Sequence, residues 1–416
     1  MTQSPSNTVK TPFFVTRRFS SDMSDSASTR DGHLSSYMKD EVGLDDEPDK
    51  NGTDSVVVTE DALSVSVPRW LSLKKRKLVL HVDLNNTILV SDAVTGQGTV
   101  AALEYFLSSV TWGRVTKRGQ WEWTSDAPSL LPPHEGAVSY YSQFGRMAGF
   151  TRSPDGRRFR GVLEEHLDLL RWPEGRGAEP ELAVTGEDGR LYHWILPSFF
   201  QLLRDLVEEG RDFAVLFRTF GSDLPRVLTA MSRALTQGRH PLFPDLPDLQ
   251  LGVNVTPGQI RCSRKEVLLT RSAERLSSRG EEGGRRGEAG GERALYRYLS
   301  SVQGLGGFQD HFDWWSRNTY SMQGGKPLWV DPFDQDVQHI FIDDNIRQND
   351  QDTIVHPRVF VDPGGSETRT ACTTELYDLC LIQTDLLKAI SDPGYFTKRV
   401  RVCLENYDRN LQQGSD

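Results

Sequence analysis

Residues 78–87 read LVLHVDLNNT, an apolar run that ends abruptly in polar side chains. The run follows the basic string KKRK at 74–77, and its pattern is typical of a central buried strand with a loop at its carboxyl end. Ligands of open α/β sheets bind at that edge of the sheet. The carboxylate of Asp83 is therefore placed for chemistry, and capping of the strand end is the structural alternative.

Two later strands also end in polar side chains. The stretch FAVLFRT ends in the hydroxyl of Thr219, and HIFIDDN contains the adjacent acids Asp343 and Asp344. A lone lysine, Lys326, stands in the turn GGKP before the second of these strands. A satisfied hydroxyl at Thr219 and a turn cap at Asp344 are the structural alternatives. Two carboxylates after a buried strand, however, repel each other unless a cation is present.

In this order, the nucleophile-like Asp83, Thr219, Lys326 and the acidic pair resemble the four motifs of the haloacid dehalogenase superfamily. The resemblance implies an α/β fold: a Rossmann-like parallel sheet sandwiched by helices, with an inserted cap region over the active-site edge. It also implies that Asp83 attacks phosphorus and forms an aspartyl phosphate. Thr219 would donate a hydrogen bond to a phosphate oxygen, and Lys326 would hold the phosphate and the nucleophile.

The same resemblance implies a bound cation. Mg²⁺ suits a site that is built from carboxylates, a backbone carbonyl and water. The expected ligands are Asp83, Asn85 through its backbone carbonyl, Asp343 and Asp344.

Asn85 departs from the superfamily pattern, in which a second Asp two residues after the nucleophile acts as acid and base. An amide cannot exchange a proton at neutral pH, and loss of a general acid or base costs about 100- to 10,000-fold in rate. We expect slow turnover of alkyl phosphate esters and a long-lived aspartyl phosphate. A histidine from the insertion, His134, His166 or His193, is a candidate substitute.

Composition divides the chain into a core and flanking tails. Residues 1–65 are rich in Ser, Thr and Asp and poor in apolar periodicity, which predicts a disordered tail. The predicted remainder is a core at 66–411 that contains the cap-like insertion at 90–195 and a flexible Gly/Glu/Arg loop at 279–293, followed by a disordered tail at 412–416.

Hydrophobic periodicity places the elements within this core. Alternation predicts short strands at 119–124 and 159–163, with a further strand around 261–270 and another at 359–361. Helical spacing predicts helices at 100–110, 195–209, 224–235, 294–302, 377–390 and 395–411.

The net charge of −10 among 416 residues argues against a general nucleic-acid partner. No apolar run approaches the roughly 20 residues of a membrane span, so we expect a soluble protein without a membrane partner. Four scattered cysteines indicate reduced thiols and favour a cytoplasmic location. The basic pair Arg17–Arg18, before Phe19 and two serines, leaves the mitochondrial matrix or a kinase site as alternatives.

These features predict a Mg²⁺-dependent phosphohydrolase or phosphotransferase that acts on a small phosphorylated molecule. The alternative is a catalytically impaired relative that binds phosphate, or a partner protein through its insertion or tail. Action on phosphopeptides is a third hypothesis, against which the size of the insertion argues.

Overall fold

The computed structural model describes residues 76–92, 95–175, 177, 179–279, 291–348 and 353–413. These residues belong to one compact unit, Arg69–Asp416. The predicted tail at 1–65 lies outside the described residues, as do residues 280–290 of the predicted loop and 414–416 at the carboxyl end. The last helix continues to Gln413, past the predicted end of the core at 411.

The strands of the described chain are β1 (Lys77–Val82), β2 (Trp112–Val115), β3 (Trp121–Trp123), β4 (Val138–Ser139), β5 (Ala183–Thr185), β6 (Leu191–His193), β7 (Phe213–Thr219), β8 (Gly258–Cys262), β9 (Val267–Arg271), β10 (Glu274–Ser277), β11 (Gly304–Gln309), β12 (Lys326–Val330), β13 (Val337–Asp343), β14 (Val355–Phe360), β15 (Thr368–Thr370) and β16 (Leu381–Gln383). Its α-helices are α1 (Thr99–Ser109), α2 (Tyr140–Phe144), α3 (Arg160–Leu169), α4 (Pro197–Glu208), α5 (Leu224–Gln237), α6 (Glu292–Ser301), α7 (Phe312–Arg317), α8 (Thr373–Leu376), α9 (Leu386–Ser391) and α10 (Tyr395–Gln413).

The fold is mixed α/β and is built on an eight-stranded sheet of order β10-β9-β8-β11-β7-β1-β13-β16. Neighbours from β8 to β16 are parallel, whereas β9 and β10 extend the β8 edge as antiparallel strands. From β1 the chain first builds the β7 side and then returns to build the β13 side. The order therefore reverses between β1 and β13, which is where open α/β sheets bind ligands.

Both faces of β1 are buried. Successive side chains of a strand point to opposite faces, and Leu80 joins an apolar cluster with α4 and α5, whereas Val79 joins one with α6. The first of these helices begins at Pro197, a favoured first position, and buries Phe199 and Leu203. The sequence predicts β1, β7, α1, α4 and α5 at these places, and the structure confirms them.

The segment 90–195 leaves and rejoins the chain beside the end of β1. Leu89 forms a β-bridge with Ile195, and the Leu196 amide donates to the Ile88 carbonyl over 2.9 Å. The segment contains the sheet β3-β2-β4 and the hairpin β5-β6. Its buried residues Phe106 and Phe150 belong to the same apolar cluster as the sheet, so this segment packs directly on the sheet.

Two predicted elements are wrong. Residues 159–163 do not form a strand but contain the end of a 3-10 turn and the start of α3, because Phe159, Leu163 and Leu167 repeat at helical spacing. The predicted helix at 377–390 contains β16 and α9 instead. Asp378 has a φ of 58°, which interrupts a helix.

β11 is a strand that the hydrophobic pattern does not predict. Its sequence GLGGFQ contains three glycines, and glycine is depleted in strands. At Gly307 a Cβ would lie 2.4 Å from Leu224 Cδ1, so any side chain there would require the buried Leu224 to shift. Among the helices of the described residues, none has the length and apolar composition needed to cross a bilayer.

Candidate functional site

Asp83 and Asp343 lie side by side at the carboxyl ends of two adjacent parallel strands. The register pairs Val82 of β1 with Ile342 of β13, and the Asp83 amide donates to the Ile342 carbonyl over 2.9 Å. Asp83 is 6% exposed and Asp343 is fully buried. The strand pairing thus brings together two carboxylates that lie 260 residues apart in the sequence.

Lys326, the first residue of β12, lies between these two acids. Its Nζ donates to Asp83 Oδ1 over 2.5 Å and to Asp343 Oδ2 over 2.8 Å. A third, longer contact of 3.3 Å reaches the carbonyl of Arg218 in β7. The lysine is 1% exposed, so its ammonium depends on these oxygens in place of water.

Asp344 completes an acidic cluster. Carboxylate oxygens of Asp83, Asp343 and Asp344 lie within 4.8 Å of one another. Thr87 joins the two strand ends, because its hydroxyl donates to Asp83 Oδ2 over 3.3 Å and accepts from the Asp344 amide over 3.1 Å. The Asn345 backbone amide donates to Asp343 Oδ1 over 2.8 Å, and its side chain donates to Asp344.

Burial changes the protonation of this cluster. It raises the pKa of Asp83 to about 7, against the opposing effect of Lys326 and with a further increase from Asp343. Burial and the charges of Asp343 and Asp83 raise the pKa of Asp344. Burial alone would lower the pKa of Lys326, but the two carboxylates outweigh it and raise that pKa. When all three carboxylates are ionised, the single ammonium of Lys326 leaves an excess of negative charge, which a divalent cation would neutralise.

Comparisons with protein families, with curated proteins and with solved structures found no match.

Thr219 and Asn85 lie at the same sheet edge but have other partners. The Thr219 hydroxyl, 1% exposed, accepts from the Gly221 amide over 2.9 Å. The Asn85 side chain donates to the Ser91 carbonyl and to Asp223 Oδ2, both over 3.1 Å. Within the described part of the chain, neither side chain hydrogen-bonds to the acidic cluster or to Lys326.

A buried ion pair between Arg218 and Asp310 lies next to Lys326. Arg218 is fully buried and donates two hydrogen bonds to Asp310, of 2.9 and 2.7 Å. It also contacts His81 Nδ1 over 3.0 Å and donates to the Pro327 carbonyl, next to Lys326. The only sequence signal for this pair is that Arg218 is the next-to-last residue of β7 and that Asp310 directly follows β11. The three glycines of β11 make that second strand hard to predict.

Two tyrosines and two arginines gather near Asp344, and sequence reasoning does not find them. Tyr105 of α1 and Tyr141 of α2 meet edge to face at 5.0 Å between ring centroids, and the Arg146 guanidinium carbon lies 5.4 Å from the Tyr105 ring centre. Burial, Tyr141 and Asp344 raise the pKa of Tyr105, while Arg347 and Arg146 oppose them. Both arginines are exposed.

We call the set Tyr105, Tyr141, Arg146 and Arg347 the rim. Among the residues that the structure describes, no carboxylate lies within ion-pair distance of either rim arginine. Three rim members come from the insertion, whose tertiary path has no local sequence signal. The rim therefore presents cationic donors next to an acidic cluster.

The three candidate histidines of the insertion have other partners. His134 contacts the Glu135 carbonyl and His166 contacts the Val162 carbonyl. His193 is 2% exposed and stacks on His240. No hydrogen bond or ring contact within residues 76–410 as described connects any of them with Asp83 or Asn85.

Proposed function

We propose that this protein is a Mg²⁺-dependent phosphohydrolase or phosphotransferase that transfers the phosphoryl group of a small substrate to Asp83. One observation carries the proposal: the carboxylates of Asp83, Asp343 and Asp344 lie within 4.8 Å of one another at the reversal point of the sheet. Lys326 donates hydrogen bonds to two of them. The order of the motifs supports a haloacid-dehalogenase-like core, with residues 90–195 as its cap.

The donor set fits the cation. Oxygen ligands from carboxylates are what Mg²⁺ prefers, and the cluster sets three carboxylates against the single ammonium of Lys326. Asp83, Asp343 and Asp344 would hold the ion, together with the backbone carbonyl of Asn85. When bound, it would offset the repulsion between an anionic nucleophile and an anionic substrate.

The protein's own groups position the reaction. Lys326 and Thr87 each bond one oxygen of Asp83, which fixes the carboxylate plane. The Thr219 oxygen accepts from Gly221, so its proton is available to donate to a phosphate oxygen. An oxygen of Asp83 then forms a bond to phosphorus as the bond to the leaving oxygen breaks, and water later releases phosphate from Asp83.

The leaving oxygen needs a proton, which the Asn85 amide cannot supply. An enzyme that relied on residue 85 alone would turn over alkyl phosphates slowly, by about 100- to 10,000-fold. Acyl phosphates would lose less in the first step, because their leaving groups need little protonation.

The rim is suited to bind an anionic substrate. Arg146 and Arg347 are exposed and have no carboxylate partner among the described residues. Guanidinium groups bind phosphate with strong charge-assisted hydrogen bonds. The rim would bind the substrate above the acidic cluster and so contribute to its selection.

Acid-quenched intact-protein mass spectrometry tests the proposal. With Mg²⁺ and acetyl phosphate, we expect a phosphoenzyme on the wild-type chain and on the exposed control Asp126→Asn, but not on Asp83→Asn. Hydrolysis of p-nitrophenyl phosphate should follow the same pattern. A wild-type protein that binds Mg²⁺ yet gives neither phosphoenzyme nor hydrolysis would contradict the enzymatic proposal and favour a protein that binds phosphate or a partner.

A further inference from the structure

We propose that a cavity at the amino edge of the main sheet binds an α-amino acid with an apolar side chain. The cavity has a volume of about 640 Å³ and lies where β7 and β11 begin. The acidic cluster lies at the opposite, carboxyl edge, and the seven residues of β7 span about 20 Å between the two edges. The inference therefore concerns a second site and does not rest on the phosphoryl transfer proposed above.

Arg211 brings a hydrogen-bond donor without an acceptor to this cavity. It lines the cavity but is only 8% exposed, and its Nη1 has no hydrogen-bond partner among the described residues. The ion pair of its Nε with Glu209 Oε2 measures 3.7 Å, which is longer than a hydrogen bond, and Glu209 Oε1 accepts two hydrogen bonds from Arg401. A buried polar group without a partner is unfavourable. A ligand carboxylate would accept from the guanidinium in the geometry that such pairs adopt.

Asp212, the next residue, brings the opposite charge. It lines the same cavity and is exposed, and within the described ranges of the chain it forms no ion pair. Lys77 interacts electrostatically with Asp212, but its Nζ donates to the carbonyls of Ser300 and Val302 over 2.8 and 2.6 Å. A carboxylate beside the guanidinium repels a phosphate dianion and attracts an ammonium group. Arg211 and Asp212 are therefore complementary to the carboxylate and the ammonium of a zwitterion.

Apolar side chains form much of the remaining wall. Val207, Phe213, Leu251 and Val253 line the cavity. Phe213 is buried, whereas the other three are half-buried and pack against the main apolar cluster. Their exposed surface would be covered by an aliphatic or aromatic side chain, and removal of this surface from water favours binding. This wall selects an amino acid with an apolar side chain.

Backbone pairing holds the wall formed by residues 250–254. The Leu305 amide donates to the Gly252 carbonyl, and the Asn254 amide donates to the Leu305 carbonyl, both over 2.8 Å. Gly304 has a φ of 65°, and a Cβ there would lie 2.4 Å from the Gly252 oxygen. The wall is therefore fixed before a ligand binds, which lowers the entropic cost of binding.

Titration calorimetry on the full-length chain tests the choice of ligand. We expect L-leucine and L-phenylalanine to bind. 4-Methylpentanoate lacks the ammonium and 3-methylbutylamine lacks the carboxylate, so each should bind at least about tenfold more weakly than L-leucine, because one charge-assisted hydrogen bond is lost. Glycine, without an apolar side chain, should also bind at least about tenfold more weakly. Inorganic phosphate should not compete with L-leucine.

Two variants locate the binding in this cavity. Gly252 lines the cavity and nothing lies within 4 Å of its ideal Cβ, so Gly252→Trp should block L-leucine without lowering the Tm. Its control is Gly161→Trp, because Gly161 in α3 has equally open space and lies outside the cavity. Asp212→Asn should weaken L-leucine at least about tenfold and leave 4-methylpentanoate no weaker than in the wild type. Asp248→Asn, an exposed residue of the preceding loop, should match the wild type.

Three results would overturn the proposal. The first is a wild-type chain that binds neither L-leucine nor L-phenylalanine. The second is 4-methylpentanoate or inorganic phosphate binding as tightly as L-leucine, which would assign the cavity to a simple anion. The third is Gly252→Trp that binds L-leucine like the wild type, which would place the amino acid elsewhere. None of these results bears on phosphoryl transfer to Asp83, which the phosphoenzyme measurement tests separately.

Discussion

Lys326 is the residue on which the acidic cluster depends when no other cation is present. It donates to Asp83 and Asp343 while 1% exposed. Removing one partner of a buried ion pair leaves uncompensated charge and costs about 3–5 kcal/mol. At pH 8 we therefore expect Lys326→Met to lower the free energy of unfolding by about this amount in urea titrations. The loss should be smaller at pH 5.5, because Asp83, with its pKa at about 7, then holds a proton.

Lys388 provides the control for this variant. Its Nζ lies 3.2 Å from Asp385, but its side chain is 72% exposed. Exposed ion pairs contribute about 0–1 kcal/mol, so Lys388→Met should leave the stability within about 1 kcal/mol of the wild type. If the two variants lost equal amounts of stability, the buried ion pairs of Lys326 would contribute no more than the exposed pair of Lys388.

The raised pKa of Asp83 predicts how stability changes with pH. The folded chain holds this proton up to about pH 7, whereas the unfolded chain releases it near the ordinary value of 3.8. The folded state therefore binds more protons between these values, and the stability of the metal-free protein falls as pH rises through that window. Mg²⁺ requires ionised carboxylates, so its stabilisation should grow over the same window.

Thermal unfolding with and without Mg²⁺ at pH 5 and pH 8 measures this dependence. We expect a larger Mg²⁺-induced increase in Tm at pH 8 than at pH 5, and no such increase in Asp343→Asn at either pH. Asp126→Asn, with an exposed side chain, should behave as the wild type. A Mg²⁺ effect that is the same at both pH values would show that the cation binds elsewhere.

Individual site residues differ in how far the sequence predicts them. Asp83 and Asp343 stand at the ends of apolar strands, so the pattern predicts that each lies at the carboxyl edge of the sheet. The pairing of β1 with β13, which the pattern does not encode, brings the two residues together. The contact between Asn85 and Asp223 joins two loops, and no periodicity encodes it. The same holds for Tyr105 and Arg146, which reach the site only through the fold of the insertion.

Among the elements, β11 shows why a sheet can contain a glycine-rich strand. It lies between β8 and β7, and at Gly307 a Cβ would be 2.4 Å from Leu224 Cδ1 and 3.0 Å from the Phe217 carbonyl. Overpacking costs about 1–3 kcal/mol, and we expect Gly307→Ala to lower the free energy of unfolding by that amount. Denaturant titrations would show it as an earlier midpoint.

Gly161 in α3 is the matched control, since nothing lies within 4 Å of its ideal Cβ. Alanine is favoured over glycine in helices by about 1 kcal/mol, so Gly161→Ala should leave stability unchanged or raise it by up to about this amount. If both substitutions changed the free energy of unfolding in the same direction, helix or strand propensity would decide the outcome and not packing around β11.

Long elements with a continuous apolar face are predicted well from the sequence, whereas short elements are not. α4 has an apolar face along its length and is predicted within a few residues of its ends. β16 is a short buried strand, LIQ, beside helix-like neighbours, and only its pairing with β13 makes it a strand. Pattern therefore defines the long elements, whereas tertiary pairing defines the short ones.

At the scale of the whole molecule, the rim brings the segment 90–195 close to the end of β13, in addition to the apolar packing of that segment on the sheet. Arg146 comes from the segment 90–195, and Arg347 follows the acidic pair after β13. Arg347 lowers the pKa of Asp344, whereas Arg146 lies over the ring of Tyr105, and neither arginine has a carboxylate partner within ion-pair distance among the described residues. A substrate phosphate bound between them would connect the insertion with the core.

This arrangement predicts a binding defect when either arginine is removed. A hydrogen bond to a charged group contributes about 1.5–3 kcal/mol, and 1.4 kcal/mol is tenfold in affinity. Arg146→Ala and Arg347→Ala should each raise KM for a phosphate ester by about tenfold or more with little change in kcat. The inhibition constant of inorganic phosphate should rise in parallel. Arg160→Ala, which removes an exposed pair with Glu164, should change neither constant. A fall in kcat at constant KM would place Arg146 in the chemical step and not in substrate binding.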